Sequence, residues 1–259
     1  MTKVESPNKS MGAPGWEGIV IHFTNGYSAG SSYNWFMNPA SKASAHMIVE
    51  RNGNIFECVS TKNRAWHAGQ SSFFGRSNCN NSMLGIEVAN LGPLTVSNNK
   101  IIDTYGKPFN GKWVQTTSKN NKGAVAWEEY PQEQVIVVAG ICNEWIQQFD
   151  LPACAIVGHE NVSYKRKFDP GPAWNWNAFY NLLDKTYNDT NYFLISIQSM
   201  LENYGYECGE IDGFWGAYTS RALDDFCNEK LVRNFITDKS KPTDEMLEKQ
   251  FLELLNFRS

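Results

Sequence analysis

The chain has 259 residues, 42% of them apolar and 19% charged, with a formal net charge of −4. That length admits one large domain or a domain with a small appended module, and the apolar share is enough to fill a core. The charge offers no basic footprint for nucleic acid, and the longest apolar stretch, Val135 to Cys142, is far short of the roughly 20 residues a membrane span needs, so neither nucleic acid nor membrane insertion is expected.

Residues 1–17, rich in Pro, Gly, Ser and Asn, read as a loose N-terminal arm. They lack the apolar stretch of a secretory signal, so synthesis in a cytoplasm is expected. The six cysteines include no CxxC pair; reduced thiols buried as small hydrophobes are expected, and a thiolate zinc site is not. Ile19 to Phe23 predicts a buried strand. His46 to Val49 and Ile55 to Val59 predict two more, joined at the hairpin signal Asn52-Gly53. Leu84 to Ala89 predicts a fourth.

Residues 91–130 are polar and irregular and read as a long surface insertion bordering a groove. Pro131 opens a helix whose apolar face carries Val135, Val138, Ala139, Cys142, Trp145, Ile146 and Phe149. Ala155 to Val157 predicts a short strand that runs into Gly158-His159, and Trp174 to Leu183 a further helix. Residues 184–191 read as a linker. Beyond them, Leu194, Ile197 and Leu201 form a helical stripe, Ile211-Asp212-Gly213 a turn, and 219–226 and 242–255 two more helices. The organisation expected is an arm (1–17), a catalytic domain (18–183), a linker (184–191) and a small helical domain (192–259).

The chemistry gathers around two of the four histidines. His22 lies on one face of its strand with Val20 and Thr24, near the strand end, and His159 follows a strand directly. A histidine taken alone is more often structural. Here, however, Asp169 lies ten residues beyond His159 and precedes Pro170, which restricts its backbone to extended conformations. Two imidazoles and a carboxylate form a three-ligand zinc set with one position left for water, whose pKa zinc lowers towards about 7. Lys167, two residues before Asp169, points the same way in an extended segment and is placed to stabilise an oxyanion. On spacing alone it equally fits a solvated lysine of the basic run Lys165-Arg166-Lys167. Glu87 shares its strand face with Gly85 and Ala89, which leave it room to act as a general base; a half-exposed strand glutamate is the alternative.

The segments IVIHFT (19–24), SAHMIVERNGNIFECV (44–59), RAWHAG (64–69), NNSMLGIEVANLG (80–92) and VGHENVSYKRKFDPGPAW (157–174) together resemble the zinc N-acetylmuramoyl-L-alanine amidases, a family that spans peptidoglycan-recycling enzymes, amidase-type phage lysozymes and peptidoglycan recognition proteins. The resemblance implies an α/β fold with a central mixed β-sheet flanked by helices. It implies Zn2+ held by His22, His159 and Asp169, with Glu87 and Lys167 catalytic, and cleavage of the amide between N-acetylmuramic acid and L-alanine. Some relatives place a tyrosine where this chain has Ala45, and recycling relatives place a substrate-holding arginine where it has Asn78. Arg76 is the nearest substitute. Arg64, Trp66, His67 and Arg76 are the groove candidates for substrate, with Phe73 and Phe74 beside them; His46 and His67 read as structural or groove-lining rather than as ligands. Residues 197–222, with Tyr204-Gly205-Tyr206 and Ile211 to Gly216, resemble the three-helix peptidoglycan-binding domain of wall hydrolases, which implies a small all-α C-terminal domain. The partners expected are peptidoglycan or muropeptides, and the chain is expected to be a monomer. A phage endolysin that reaches the wall after release fits these features. A non-catalytic receptor and a recycling or effector amidase are the alternatives.

Overall fold

A computed structural model describes residues 5–98, 100–116, 126–184, 190–230, 232, 234, 236 and 242–257. The core is a five-stranded mixed sheet. Its strands are β1 (Gly18–Phe23), β2 (Met47–Val49), β3 (Ile55–Glu57), β4 (Met83–Val88) and β5 (Ile156–Gly158). In space they run β5-β1-β4-β2-β3, with β5, β1, β4 and β2 parallel and β3 antiparallel at the edge. Parallel strands covered on both faces need near-continuous apolar sequence, and all six residues of β1 are buried. The hairpin expected at Asn52-Gly53 is present: β2 pairs with β3, Glu50 and Gly53 close the turn, and Gly53 has φ +82°.

Helix α1 (Ala29–Met37) is capped by Ser28 and lies near β2 and β3. Helix α2 (Gln132–Phe149) buries Val138, Ile141, Cys142, Trp145 and Ile146 over the sheet. At its start the Gln134 Nε2 amide donates to Val49 O and Ala89 O, at 3.1 and 3.0 Å, and so joins the ends of β2 and β4. No helix among the described residues is long and apolar enough to cross a membrane. All six cysteines are buried.

Two expectations change. Residues 5–10 are docked rather than loose. Ser6 and Asn8 are buried, Ser6 Oγ donates to Phe36 O at 2.6 Å, Asn8 Nδ2 donates to Phe36 O at 3.0 Å, and Lys9–Ser10 pairs with Arg64–Ala65. Polar side chains made this stretch read as solvated, but they cap backbone groups that the fold would otherwise bury without partners. The insertion at 91–130 is also not irregular. It holds a four-stranded antiparallel sheet of Lys100–Ile102, Pro93–Ser97, Ala126–Glu128 and Trp113–Gln115, in that order. The strands are only three to five residues long, too short to show an alternation in sequence; residues 117–125 of the insertion lie outside the described residues.

The C-terminal part contains α3 (Thr190–Tyr204), α4 (Ala217–Lys230) and α5 (Asp244–Asn256), matching the all-α character expected. The linker expected at 184–191 falls largely on 185–189, outside the described residues. Helix α3 packs into the same apolar cluster as the sheet and α2. Ser196 Oγ donates to Cys154 O at 2.8 Å, and Asn203 Nδ2 donates to Ser72 O and Asn161 O at 2.8 and 3.0 Å.

Candidate functional site

Three parallel strands deliver the chemistry to one edge of the sheet. His22 lies near the carboxyl end of β1, Glu87 near that of β4 and directly opposite it in register, and His159 follows β5 at once. Carboxyl ends of parallel strands are where α/β sheets place their ligands, because the chain turns away there and leaves a crevice. Here a cavity of about 340 Å³ opens, lined by His22, Glu87, His159, Lys167 and Asp169 among others.

Asp169 reaches this edge on a loop that is fastened at several points. Its carbonyl accepts from Glu160 N–H at 2.9 Å, and the next carbonyl, of Pro170, accepts from Tyr130 Oη at 2.7 Å. The Asp169–Pro170 peptide is cis. Gly171 has φ +76°, and a Cβ there would lie 2.8 Å from the Trp127 ring. The inserted sheet, which carries Trp127, thus forms the floor beneath the aspartate loop.

Three atoms meet at the centre. His22 Nδ1, His159 Nδ1 and Asp169 Oδ2 stand 2.9 Å from one another, and the three residues are 1%, 2% and 8% exposed. The opposite side of each ring fixes where its proton lies. His159 Nε2 faces Ala68 O at 2.9 Å, and a carbonyl can only accept, so Nε2 carries the hydrogen and, in the neutral ring that a metal ligand requires, Nδ1 is bare. His22 Nε2 faces His67 Nδ1 at 2.9 Å, and His67 Nε2 faces Met83 O at 3.0 Å, which leaves His22 Nδ1 bare by the same reasoning. Burial pushes the His22 imidazole down to about 4, so it is neutral at pH 7. Two lone pairs and a carboxylate oxygen then converge with no proton to share among them. Such a donor set repels itself unless a cation sits between, and two imidazoles with one carboxylate suit zinc with a position left open. These residues are also the group among the described residues that could hold a metal ion.

Glu87 Oε2 is buried beside this centre without a hydrogen-bond partner. Burial, and then the charge of Asp169, push its carboxyl well above the usual carboxylate range. Lys167 lines the same cavity and acts electrostatically on both Glu87 and His22.

The remaining candidates divide. Trp66 and His67 line the cavity. Arg64 does not: its guanidinium donates to Asn81 Oδ1 at 2.9 Å and Met11 O at 3.3 Å. Arg76 pairs with Glu17 at 2.7 Å and lines a separate cleft with Phe74, Leu151 and Tyr192, so it does not stand in for the arginine replaced by Asn78. Phe73 is a core residue, 2% exposed. Of the two readings open for His46, the structural one fits: Nδ1 accepts from Gly85 N–H at 3.0 Å and Nε2 donates to Asn63 O at 3.1 Å. Arg166, in sequence only one member of a basic run, has a defined place. It lines the cavity, and its Nη2 donates to Ala68 O, Gln70 O and Ser163 Oγ, each at 2.7 Å.

A mixed sheet with a buried His-His-Asp group that could hold a metal ion, beside a buried glutamate, is an arrangement suited to metal-assisted hydrolysis. Residues 12–172 match the model of the N-acetylmuramoyl-L-alanine amidase family, and the chain belongs to that family. Among curated proteins it is 33% identical over 138 residues to the 1,6-anhydro-N-acetylmuramyl-L-alanine amidase AmpD of Haemophilus influenzae (53% of this chain, 57% of that one). It is 29% identical over 142 residues to the AmpD of Citrobacter freundii (55% and 58%). The chain therefore spans somewhat over half the length of these relatives. In fold it resembles the amidase AmiD of Escherichia coli, solved with an anhydro-N-acetylmuramic acid tripeptide, at TM-score 0.54 and 20% identity over 94% of this chain and 89% of that one.

Proposed function

We propose that this chain hydrolyses the amide between the lactyl group of N-acetylmuramic acid and the L-alanine of a stem peptide, with zinc at His22, His159 and Asp169. The observation that carries the reading is the meeting of three proton-free donor atoms beside a buried glutamate with an unpartnered oxygen. The curated relatives are named for this bond in anhydro-muropeptides. When bound, zinc supplies Lewis acidity to the substrate carbonyl and acidifies water.

The chain's own residues supply the proton handling and the charge. Water adds to the carbonyl carbon, and its proton passes to Glu87 Oε2. Desolvation makes that oxygen basic enough to take a proton and hold it. The C–N bond then breaks, and Glu87 returns the proton to the departing amine. Lys167 faces the oxygen on which charge gathers. Glu87→Gln keeps the shape and removes the proton acceptor. Its zinc content should match that of the wild type while turnover falls by at least about 100-fold. Near-normal turnover on a synthetic muramoyl-L-alanine peptide would sink the assignment.

The setting is part of the proposal: a lytic enzyme made in a cytoplasm and acting on the wall after release, as in a phage endolysin. Mass spectrometry separates this from recycling. Intact sacculi digested to free L-alanine amino ends support lysis, whereas action confined to soluble anhydro-muropeptides assigns recycling instead. The C-terminal helices are proposed as a wall contact, a second weak hold on an insoluble polymer. Phe214 and Tyr218 there are 69% and 71% exposed, and residues of the same stretch, Trp215, Arg221 and Asp225, line a cavity of about 510 Å³. Replacing both exposed aromatics by serine should reduce pelleting with sacculi and spare hydrolysis of a soluble muropeptide. Unchanged pelleting would remove the wall-contact role.

A further inference from the structure

We propose that His67 is a positioning residue: it holds the proton of His22 on Nε2 and thereby keeps Nδ1 available to the metal. The proposal rests on the zinc reading above. A neutral imidazole has one N–H. His67 gives its own to Met83 O, 3.0 Å from Nε2, so its Nδ1 can only accept. That Nδ1 stands 2.9 Å from His22 Nε2, and the bond between them is donated by His22. With its N–H committed there, His22 turns a lone pair towards His159 and Asp169. In the opposite tautomer of His67, the N–H would face His22, whose own hydrogen would move to Nδ1, the position the metal requires.

The surroundings are shaped to keep this ring in place. A Cβ at Gly85 would lie 2.5 Å from His67 Cγ, so the strand is bare where the imidazole lies across it. His46 holds that stretch of strand by accepting Gly85 N–H at 3.0 Å, and its ring meets His67 edge-on at 5.9 Å. Asn80 Oδ1 accepts from His67 N–H at 3.0 Å and Ala68 N–H at 2.7 Å. One pinned loop therefore serves both ligands: His67 Nδ1 takes the hydrogen of His22, and Ala68 O takes that of His159. Partners of this kind, one step outside the ligands, tune metal affinity by about 10–100-fold.

The test compares His67→Leu with His67→Asn, whose amide oxygen can stand near the place of Nδ1. Zinc affinity is read by competition with a chelator, and folding is checked by circular dichroism. The leucine variant should bind zinc about 10–100-fold more weakly, and the asparagine variant should recover most of that loss. Gly85→Ala, which displaces the ring without removing it, should weaken binding in the same direction. In the zinc-loaded wild type, 15N NMR of the imidazoles should find His67 protonated at Nε2 and bare at Nδ1. Zinc affinity unchanged in the leucine variant, asparagine no better than leucine, or a proton on His67 Nδ1 would each overturn the proposal. A wild-type protein that takes up no zinc would instead overturn the amidase reading on which it rests.

Discussion

His46 and His67 lie side by side, yet only one touches a ligand. His46 is fully buried, and burial pushes its imidazole down to about 4, from an ordinary value near 6.5. The fold accepts it only neutral, with Nδ1 taking Gly85 N–H. Its contribution to stability is therefore complete above about pH 6.5 and is lost as the pH falls from there towards 4, because the unfolded chain takes up the proton first. The loss amounts to about 3 kcal/mol. Urea unfolding of the metal-free protein should show a stability difference between pH 7 and pH 4 that is smaller in His46→Gln by about that amount. Equal pH dependence in the two proteins would refute it. At this scale the sequence was legible where a motif names an atom's task. His22, His159, Asp169, Glu87 and Lys167 were read from it, and all five line one cavity. It was illegible where a charge is taken up by neighbouring groups of the fold: Arg64 and Arg76 have the look of substrate ligands but bond Asn81 Oδ1, Met11 O and the Glu17 carboxylate.

Among the elements, the strands of the central sheet could be read because continuous apolar runs have few other uses, and their ends differ by a residue or two at most for β1, β2, β4 and β5. The inserted sheet could not, since its strands are only three to five residues long. Its role shows only through Trp127, which supports Gly171 and packs against Phe168, at 6.1 Å between rings. Gly171→Ala would force a side chain into a left-handed backbone and against that indole. A cost of about 1–3 kcal/mol is expected, together with weaker zinc binding, because the strain falls two residues from Asp169. Calorimetry and chelator competition would show both; a variant with wild-type melting temperature and zinc affinity would mean that the loop relaxes freely.

For the molecule as a whole, the boundary near 184–191 suggested two bodies joined by a tether. The helical part is instead built into the catalytic part. Ile197, Met200 and Leu201 are fully buried, and Asn203 and Tyr204 hydrogen-bond Asn161 in the short helix that begins with His159. These polar contacts were not legible because Asn and Tyr on a helix look like surface residues until a partner is seen. Removing 190–259 would uncover several large apolar side chains, each worth about 2–5 kcal/mol. The shortened chain should melt more than about 10 °C lower than the full one, or fail to remain soluble. A truncated protein with unchanged melting would show that the two parts are independent after all.

The seam between α3 and the sheet also sets a geometry. A polymer gripped at the helical end would be presented to the metal pocket at one reach and one angle, as a jig presents stock to a blade. Cuts along a single glycan strand would then recur at a fixed interval rather than at random, and the spacing of trimmed stems would reveal it.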